Sequence, residues 1–466
     1  VDQGHAPHPT TVRHHTTRHP RDIGADVAGR LTGLTAEVSG PGFLNITVPD
    51  DLVWTAVAAR LADTRLGLTT PRTGERVVVD YSAPNVAKEM HVGHLRSSVI
   101  GDALVRVLGH LGADVTRQNH IGDWGTQFGM LIQYLDEHPE VSWRGQGAAT
   151  MSALDTLYKA ARAEFEADPA FADRSRARVV ALQSGDRTTV AAWHDLVAES
   201  EKAFEVIYHR LAVLLDEGDF DGESRQALHF RMVFDTARRA GWLPETVQVE
   251  HVPFGTVLGT DGRPFKTRSG KTVRLADLLD DAEAAVRTVL EAKEHDFADA
   301  ELDAVVHGAG IAAIKYADLS NTRTKDYVFD MDQMVATTGN TGVYLQYAHA
   351  RIRSILRKAT GQAEATSAVG QVDATLPLHA TEKALALNLD GFEATLRDVA
   401  DTLEPHRLCG YLYDVATSFT RFYDACPVLK AADPAVRGNR LALCDLTGRT
   451  LATGLDLLGI PAPERM

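Results

Sequence analysis

The sequence predicts an α/β protein built on a parallel sheet and joined to an all-helical C-terminal part. Three observations carry this. The aliphatic run "RVVVDYSA" is followed by an apolar-periodic helix, "LRSSVIGDALVRVLGHLG", and then by a second strand-like run, "DVTRQNHIGD". Strand, helix and strand in that order open a right-handed parallel unit. From about Met331 to Met466 the apolar spacing is helical almost throughout, as in "TGVYLQYAHARIRSILRKA" and "RLCGYLYDVATSFTRFYDAC". Between the two parts, a charged stretch at about 145–215 is mostly helical and reads as an insertion.

In chain order, residues 1–30 are rich in His, Pro and Thr without a clear period, and the pattern tightens from Asp22. "RDIGADVAGRL" has helical spacing, "AEVSGPGFLNITVP" reads as two short strands around a Gly-Pro-Gly turn, and "DLVWTAVAARLAD" is helical again. These make a small α/β unit over 1–70, closed by the linker "TTPRTGE". The parallel-sheet part then occupies 71–330. Beyond the insertion it holds "VEHVPFGTVLG", a strand pair or a strand and turn, and the long helix "RLADLLDDAEAAVRTVLEAK". The helical part is 331–466.

Composition bounds the class. At 466 residues, with 44% hydrophobic and 24% charged residues, the chain is globular and long enough for about two to four domains. It has no run of 18 apolar residues, and its first residues, "VDQGHAPHPTTVRHH", have no apolar signal core. The expectation is a soluble, cytoplasmic protein with no membrane partner. A net charge of −15 argues against general adhesion to nucleic acid, though not against a local basic tract. Cys409, Cys426 and Cys444 have no CxxC spacing and sit in apolar contexts, so they read as buried thiols.

The stretch most suggestive of chemistry is "SAPNVAKEMHVGHLRSS", where the first strand of the sheet hands over to its helix. Ligands of open α/β sheets sit beyond the carboxyl ends of the strands, and a helix N-terminus there offers free N–H groups to an anion. His91 and His94 lie at that junction, where ring N–H groups can bond a phosphate as charge grows on it. Gly93 between them leaves room for a flat group such as a base. This favours ATP over a metal, because a zinc pair prefers i, i+4 spacing or acidic partners. Structural capping of the helix is the competing reading. Chance alone produces HxGH about 0.06 times in a chain of this composition, so the motif needs support from elsewhere.

That support comes from a resemblance. Residues 79–132, from "VDYSAPNVAKEMHVGHLRSS" to "GDWGTQFGMLI", resemble the first half of the catalytic domain of class I arginyl-tRNA synthetases, with HVGH as the HIGH signature. "HVPFGTVLGTDGRPFKTRSGKTVRLADLLDDA" resembles the second signature region. "IKYADLSNTRTKDYVFDMDQMVATTGNTGVYLQYAHARIRSIL" resembles the entry to the helical anticodon-binding domain, "LLGIPAPERM" its end, and "GPGFLNITV" the N-terminal domain. About 80% of the chain is covered, in family order. The resemblance implies a Rossmann-like catalytic domain, a small α/β N-terminal domain contacting tRNA and a helical anticodon-binding domain. It implies ATP and Mg2+ as cofactors, L-arginine and tRNA(Arg) as partners, and a monomer.

It also implies roles. His91 and His94 act on the phosphate, and Lys266 begins a degenerate second signature whose second lysine position is Ser269. Lys88 stands where the family places a compensating lysine. Asp80, Ser82 and Asn85 face the amino acid, with His120 and Gln226 as further candidates at strand ends, since a guanidinium offers donors only. Asp80 capping the strand turn is the alternative. Asp123 and Trp124 read as a packed turn beneath the site. Tyr344, Tyr347 and Arg351 are the candidates for tRNA, within a series continued by Arg353, Arg357 and Lys358. The arginines do not share one helix face, so at least one serves packing or solubility.

One departure stands out. Where the family continues for on the order of a hundred residues with part of the nucleotide fold and the guanidinium pocket, "DFDGESRQALHFRMVF" (219–234) passes directly across. The simplest expectation is that residues are omitted between two joined pieces at Ser224 and Arg225. The alternative is a true shortening, in a paralogue that binds nucleotide or tRNA or passes arginine to another acceptor.

Overall fold

The computed structural model describes residues 18–123, 125–144, 148–222, 227–265, 273–292, 297–361 and 372–466. Helix α1 (Pro20–Arg30) leads into an antiparallel hairpin, β1 (Thr35–Ser39) and β2 (Phe43–Thr47), with Val38 opposite Leu44. The predicted Gly-Pro-Gly turn joins them. Gly42 has φ +135°, and a Cβ there would lie 2.8 Å from the Pro20 carbonyl carbon, so only glycine lets the turn close against α1. Helix α2 (Asp50–Ala62) leaves this ribbon. Its Trp54 is buried and donates to the Leu376 carbonyl at 3.0 Å, while Asp50 accepts from Lys383 at 2.8 Å. It therefore packs against the C-terminal helices.

The parallel unit follows as the sequence predicts. Strand β3 (Arg76–Asp80), helix α3 (Val92–His110) and strand β4 (Asp114–Ile121) run in order, with Arg76 beside Asp114 and Asp80 beside Gln118. Helices α4 (Thr126–Glu137), α5 (Ala148–Ala167), α6 (Pro169–Gln183) and α7 (Arg187–Arg210) form the insertion. After a short 3-10 turn, β5 (Phe220–Gly222) joins β4 in parallel, giving the order β3-β4-β5. Helix α8 (Ala227–Arg239) comes next.

"VEHVPFGTVLG" yields less strand than expected. Only β6 (Val257–Leu258) forms, in parallel with β7 (Tyr327–Val328). The residues before it are held by the 323–326 segment instead of by a ladder. Arg323 donates to the Pro253 carbonyl at 2.8 Å, Gly255 donates to the Arg323 carbonyl at 2.8 Å, and Thr256 donates to Asp326 at 2.6 Å.

Helices α9 (Leu275–Glu291) and α10 (Asp299–Leu319) pack together, and α11 (Met331–Met334), α12 (Gly342–Thr360), α13 (Ala380–Asp390), α14 (Phe392–Thr402), α15 (His406–Ala425) and α16 (Pro434–Leu457) complete the chain. The three cysteines are free and buried, as expected.

Helix α3 lies at the centre, and two buried ion pairs bind it to α10. Arg96 Nε lies 3.2 Å from Asp318, both fully enclosed. Lys315 donates to Asp102 at 3.3 Å and to the Leu211 carbonyl at 2.9 Å. Polar side chains this deep in an apolar core persist only when paired, so these contacts set how α3 sits on α10.

Candidate active site

From Asp80 the chain crosses the carboxyl edge of the sheet through residues 81–91 before α3 begins. Ser82, Ala83 and Ala87 have φ of 77°, 51° and 55°. A left-handed backbone costs a non-glycine residue about 1–2 kcal/mol, so the surroundings must enforce it. They do so from several elements. Ala83 N–H donates to Asn119 at 2.9 Å, Val86 N–H to the Gly122 carbonyl at 3.1 Å and Ala87 N–H to Ser200 at 3.0 Å.

The two histidines close this loop onto α3. His91 is the N-cap; its Nδ1 accepts from the Gly93 N–H at 3.1 Å, and its own N–H donates to His94 Nδ1 at 3.0 Å. The rings stack with centroids 3.9 Å apart. Because both Nδ1 atoms accept, the hydrogen of each neutral ring belongs on Nε2. Burial lowers the pKa of His91, and it carries that of His94 down to about 3 with the neighbouring His91 adding to the effect. The pair is thus two neutral N–H donors at a helix N-terminus. Capping and ligand chemistry are compatible, since each ring spends one nitrogen on the backbone and keeps the other.

Gly93 also lies against the His91 ring. A Cβ on it would lie 2.8 Å from His91 Cε1, so the glycine makes room for the folded-back imidazole. Lys88 places its ammonium 4.7 Å from the centre of the Tyr158 ring on α5. Lys266 lies outside the described residues, but both flanks of its segment are anchored. Phe265 donates to the Val257 carbonyl at 3.0 Å and stacks on Phe329, and Val273 accepts from the Val92 N–H at 3.0 Å. Residues 90–92 and 273–275 therefore run side by side, and Arg274 reinforces them by donating to Glu89 at 3.1 Å.

The strand ends bring Asp80 and His120 together and set Asn85 against Gly122, two residues beyond His120. Asp80 accepts from the His120 N–H at 3.1 Å, and the His120 ring lies 3.1 Å from the same oxygen. Asn85 bridges to Gly122, where a Cβ would meet its Oδ1 at 2.6 Å. Ser82 does not join them. It is buried, with its hydroxyl held by Ser98 at 2.8 Å and Tyr208 at 2.7 Å, so its part is to hold the loop in shape. Asn119 also bonds Tyr208, at 3.1 Å. This Tyr208–Asn119–Ser98 group escaped sequence reasoning, because Tyr208 lies far along the chain with no motif around it. Asp123 is buried and its carbonyl accepts from Trp193 at 2.9 Å, in keeping with a packed turn. Trp124, Gln226 and the Ser224–Arg225 junction lie outside the described residues.

On α12, Tyr347 is exposed, Tyr344 is half-buried with its ring 5.8 Å from Tyr413, and the Arg351 guanidinium lies 4.6 Å from the Tyr423 ring centre. Arg353 and Arg357 turn instead to the C-terminal tail, both donating to Glu464. These are the packing members the spacing foretold, and Lys358 stays exposed.

A parallel sheet whose first strand leads into a helix capped by HVGH, with a helical domain beyond it, fits the class I aminoacyl-tRNA synthetases that the sequence resembles. The family model for the class I (R) tRNA synthetase catalytic domain matches residues 56–224 and 220–331, and that for the DALR anticodon binding domain matches 345–466. The arginine–tRNA ligase of Frankia casuarinae is 54% identical over 537 aligned residues, covering 96% of this chain and 90% of the relative. That of Streptomyces coelicolor is 44% identical, covering 97% and 91%. The crystal structure of arginyl-tRNA synthetase from Plasmodium falciparum superposes with a TM-score of 0.76 at 25% identity, covering 96% of this chain and 89% of that one. The chain belongs to the arginyl-tRNA synthetase family.

The catalytic match comes in two pieces that meet at 220–224, and 96% of 466 residues is about 447, so roughly 90 of the 537 aligned positions have no counterpart here. The 466-residue sequence itself runs on through this point without interruption.

Proposed function

We propose that the chain ligates L-arginine to tRNA(Arg) with ATP. In the first step an arginine carboxylate oxygen attacks the α-phosphorus and pyrophosphate leaves, giving arginyl-adenylate. In the second, the hydroxyl of the 3′-terminal ribose attacks the acyl carbon and AMP leaves. The observation that carries this reading is the histidine pair, whose Nε2–H groups are free of the capping bonds and held neutral by burial. Donors fixed in advance stabilise charge that grows on the phosphate without reorganising, which is where such a site gains most of its rate. Lys88 and Lys266 add positive charge toward the phosphates. Asp80, His120 and Asn85 receive the amino acid, with Asp80 as the carboxylate for a cationic group. Tyr347 offers an open ring to an unpaired anticodon base, with Tyr344 and Arg351 beside it on α12.

Magnesium would arrive on the phosphates of ATP, whose charge it offsets. Among the described residues no cluster of three His, Cys, Asp or Glu side chains is placed to hold an ion. Among them too, no helix is long and apolar enough to cross a membrane. We read the enzyme as cytoplasmic and as a single copy of this chain.

The test is arginylation of intact tRNA(Arg) by the full chain with Mg-ATP, beside pyrophosphate exchange with and without tRNA. Lysine, without the planar fork, should be rejected. Exchange that ignores which amino acid is supplied would remove the arginine assignment.

A further inference from the structure

We propose that Tyr208, on the last turn of α7, is a positioning residue for adenylate formation, because its hydroxyl carries a one-way hydrogen-bond chain from the loop after β3 to the first turn of α3; this rests on the synthetase reading above. The direction follows from counting hydrogens. Ser98 has one hydroxyl hydrogen and donates it to the His94 carbonyl at 2.8 Å. Ser98 therefore accepts in its 2.8 Å contact with Ser82, and Ser82 spends its own hydrogen there. Ser82 is left to accept from Tyr208 at 2.7 Å, and Tyr208 accepts from the Asn119 Nδ2–H at 3.1 Å. The other end of Asn119 fixes its orientation, since Oδ1 accepts from the Ala83 N–H at 2.9 Å. The chain thus runs from Asn119 through Tyr208, Ser82 and Ser98 to His94. All four side chains that carry it are buried, so a lost link leaves its neighbours without a partner.

This group grips the loop where its backbone is left-handed. Ser82 and Ala83, with φ of 77° and 51°, are both bonded by it. α7 holds the third such residue as well: Ser200, eight positions before Tyr208, accepts from the N–H of Ala87, whose φ is 55°. A left-handed backbone at non-glycine residues persists only where its surroundings enforce it. The helical insertion therefore splints the loop that carries Asn85 and ends on His91. The Tyr208 ring is itself steadied by Phe220 on β5, with centroids 6.4 Å apart and planes 27° from parallel. Phenylalanine at 208 would keep that packing and remove only the hydroxyl. Ser82 would then lose its donor, Asn119 an acceptor, and the His94 end of α3 its tie to the loop. Shifts of an ångström or less at donors aimed at a reacting group are enough to slow it.

The experiment measures arginine-dependent pyrophosphate exchange by the full chain, with Mg-ATP and tRNA(Arg), alongside amide hydrogen exchange. Tyr208→Phe should lower kcat about tenfold or more while the KM for ATP stays within about twofold. The Ala83 amide should exchange about tenfold or more faster. Ser98→Ala cuts the next link and should lower kcat to a similar degree, and the double variant should be no slower than the slower single one, because a single chain is broken only once. Tyr411→Phe is the control: it removes a buried hydroxyl bonded to the Leu389 carbonyl at 3.2 Å in the helical part, and should lower the urea midpoint without changing kcat. Full kcat in a folded Tyr208→Phe, a loss confined to KM, or losses that multiply in the double variant would overturn the proposal. Should Tyr208→Phe fail to fold, full kcat in Ser98→Ala does the same. The function is judged separately. An unaltered chain with no arginine-dependent exchange removes the synthetase reading and leaves the Ala83 amide to decide whether Tyr208 fixes the loop; an active chain matched by Tyr208→Phe removes only the positioning role.

Discussion

His91 gives its backbone N–H to Nδ1 of His94 at 3.0 Å, so the residue that caps α3 also sets the tautomer of its neighbour. One hydrogen bond thereby joins the start of a helix to the aim of the proposed donor. If the Nε2–H groups act chiefly on the transition state, His94→Ala should slow adenylate formation about 10²–10³-fold and leave ATP affinity nearly unchanged. Pre-steady-state pyrophosphate exchange separates the two. A loss confined to affinity would mean that the rings hold only the ground state.

Gly93→Ala tests the same geometry without touching either ring's chemistry. The new Cβ would lie 2.8 Å from His91 Cε1, so the imidazole must swing from its capping position. The lost cap costs about 1 kcal/mol, a modest shift in unfolding midpoint, while the rate should fall at least tenfold. Full activity in this variant would show that the folded-back ring is dispensable.

Burial lowers the pKa of both rings and takes that of His94 well below the physiological range. With His94 protonating only near 3 in the folded protein, the adenylation rate should show no acid limb near 6.5 from this ring. The effect on stability has a definite sign. The unfolded chain takes up a proton on His94 below about 6.5 that the folded chain refuses until near 3, so stability falls as pH drops through that window. His94→Asn should flatten this part of the profile, as urea midpoints measured from pH 7 to 4 would reveal. An unchanged slope would place the titrating group elsewhere.

Much of this was legible where a short stretch decides its own structure. RVVVD reads as a strand, the Gly-Pro-Gly hairpin closes as expected, and HVGH marks the turn into α3, because propensity, turn chemistry and capping act over a few residues. It was less legible where the deciding partner is distant. Ser82 looks like a ligand residue until Tyr208 takes its hydroxyl. Arg353 and Arg357 look like part of one basic tract until Glu464 arrives from the far end of the chain. Trp54 belongs by sequence to the N-terminal unit, yet it bonds the Leu376 carbonyl. Spacing carries no information about such contacts.

The knot around Asp102 yields the sharpest stability prediction. Its carboxylate accepts from Lys315 at 3.3 Å, from Arg106 at 3.0 Å and from the Leu214 N–H at 2.8 Å. Asp102→Ala leaves Lys315 buried with the Leu211 carbonyl as its remaining partner and should cost about 3–5 kcal/mol. Lys315→Met keeps the stem packed and leaves Asp102 two partners, so it should cost less, about 1–3 kcal/mol. Burial already lowers the pKa of Lys315 while Asp102 pulls it back up. Without Asp102 the folded pKa drops further below that of the unfolded chain, so the stability of Asp102→Ala should rise with pH toward about 10.5, where the unfolded lysine also loses its proton. Gly459 closes the knot from the end of α16. A Cβ there would lie 2.3 Å from Lys315 Nζ and 2.7 Å from Asp102, at a φ of +64°. Gly459→Ala and Lys315→Met should therefore be non-additive by about 0.5–3 kcal/mol, because removing the ammonium relieves part of the clash. Urea unfolding of the two single variants and the double variant measures the coupling, and simple additivity would show that the helix end yields independently of the buried pair.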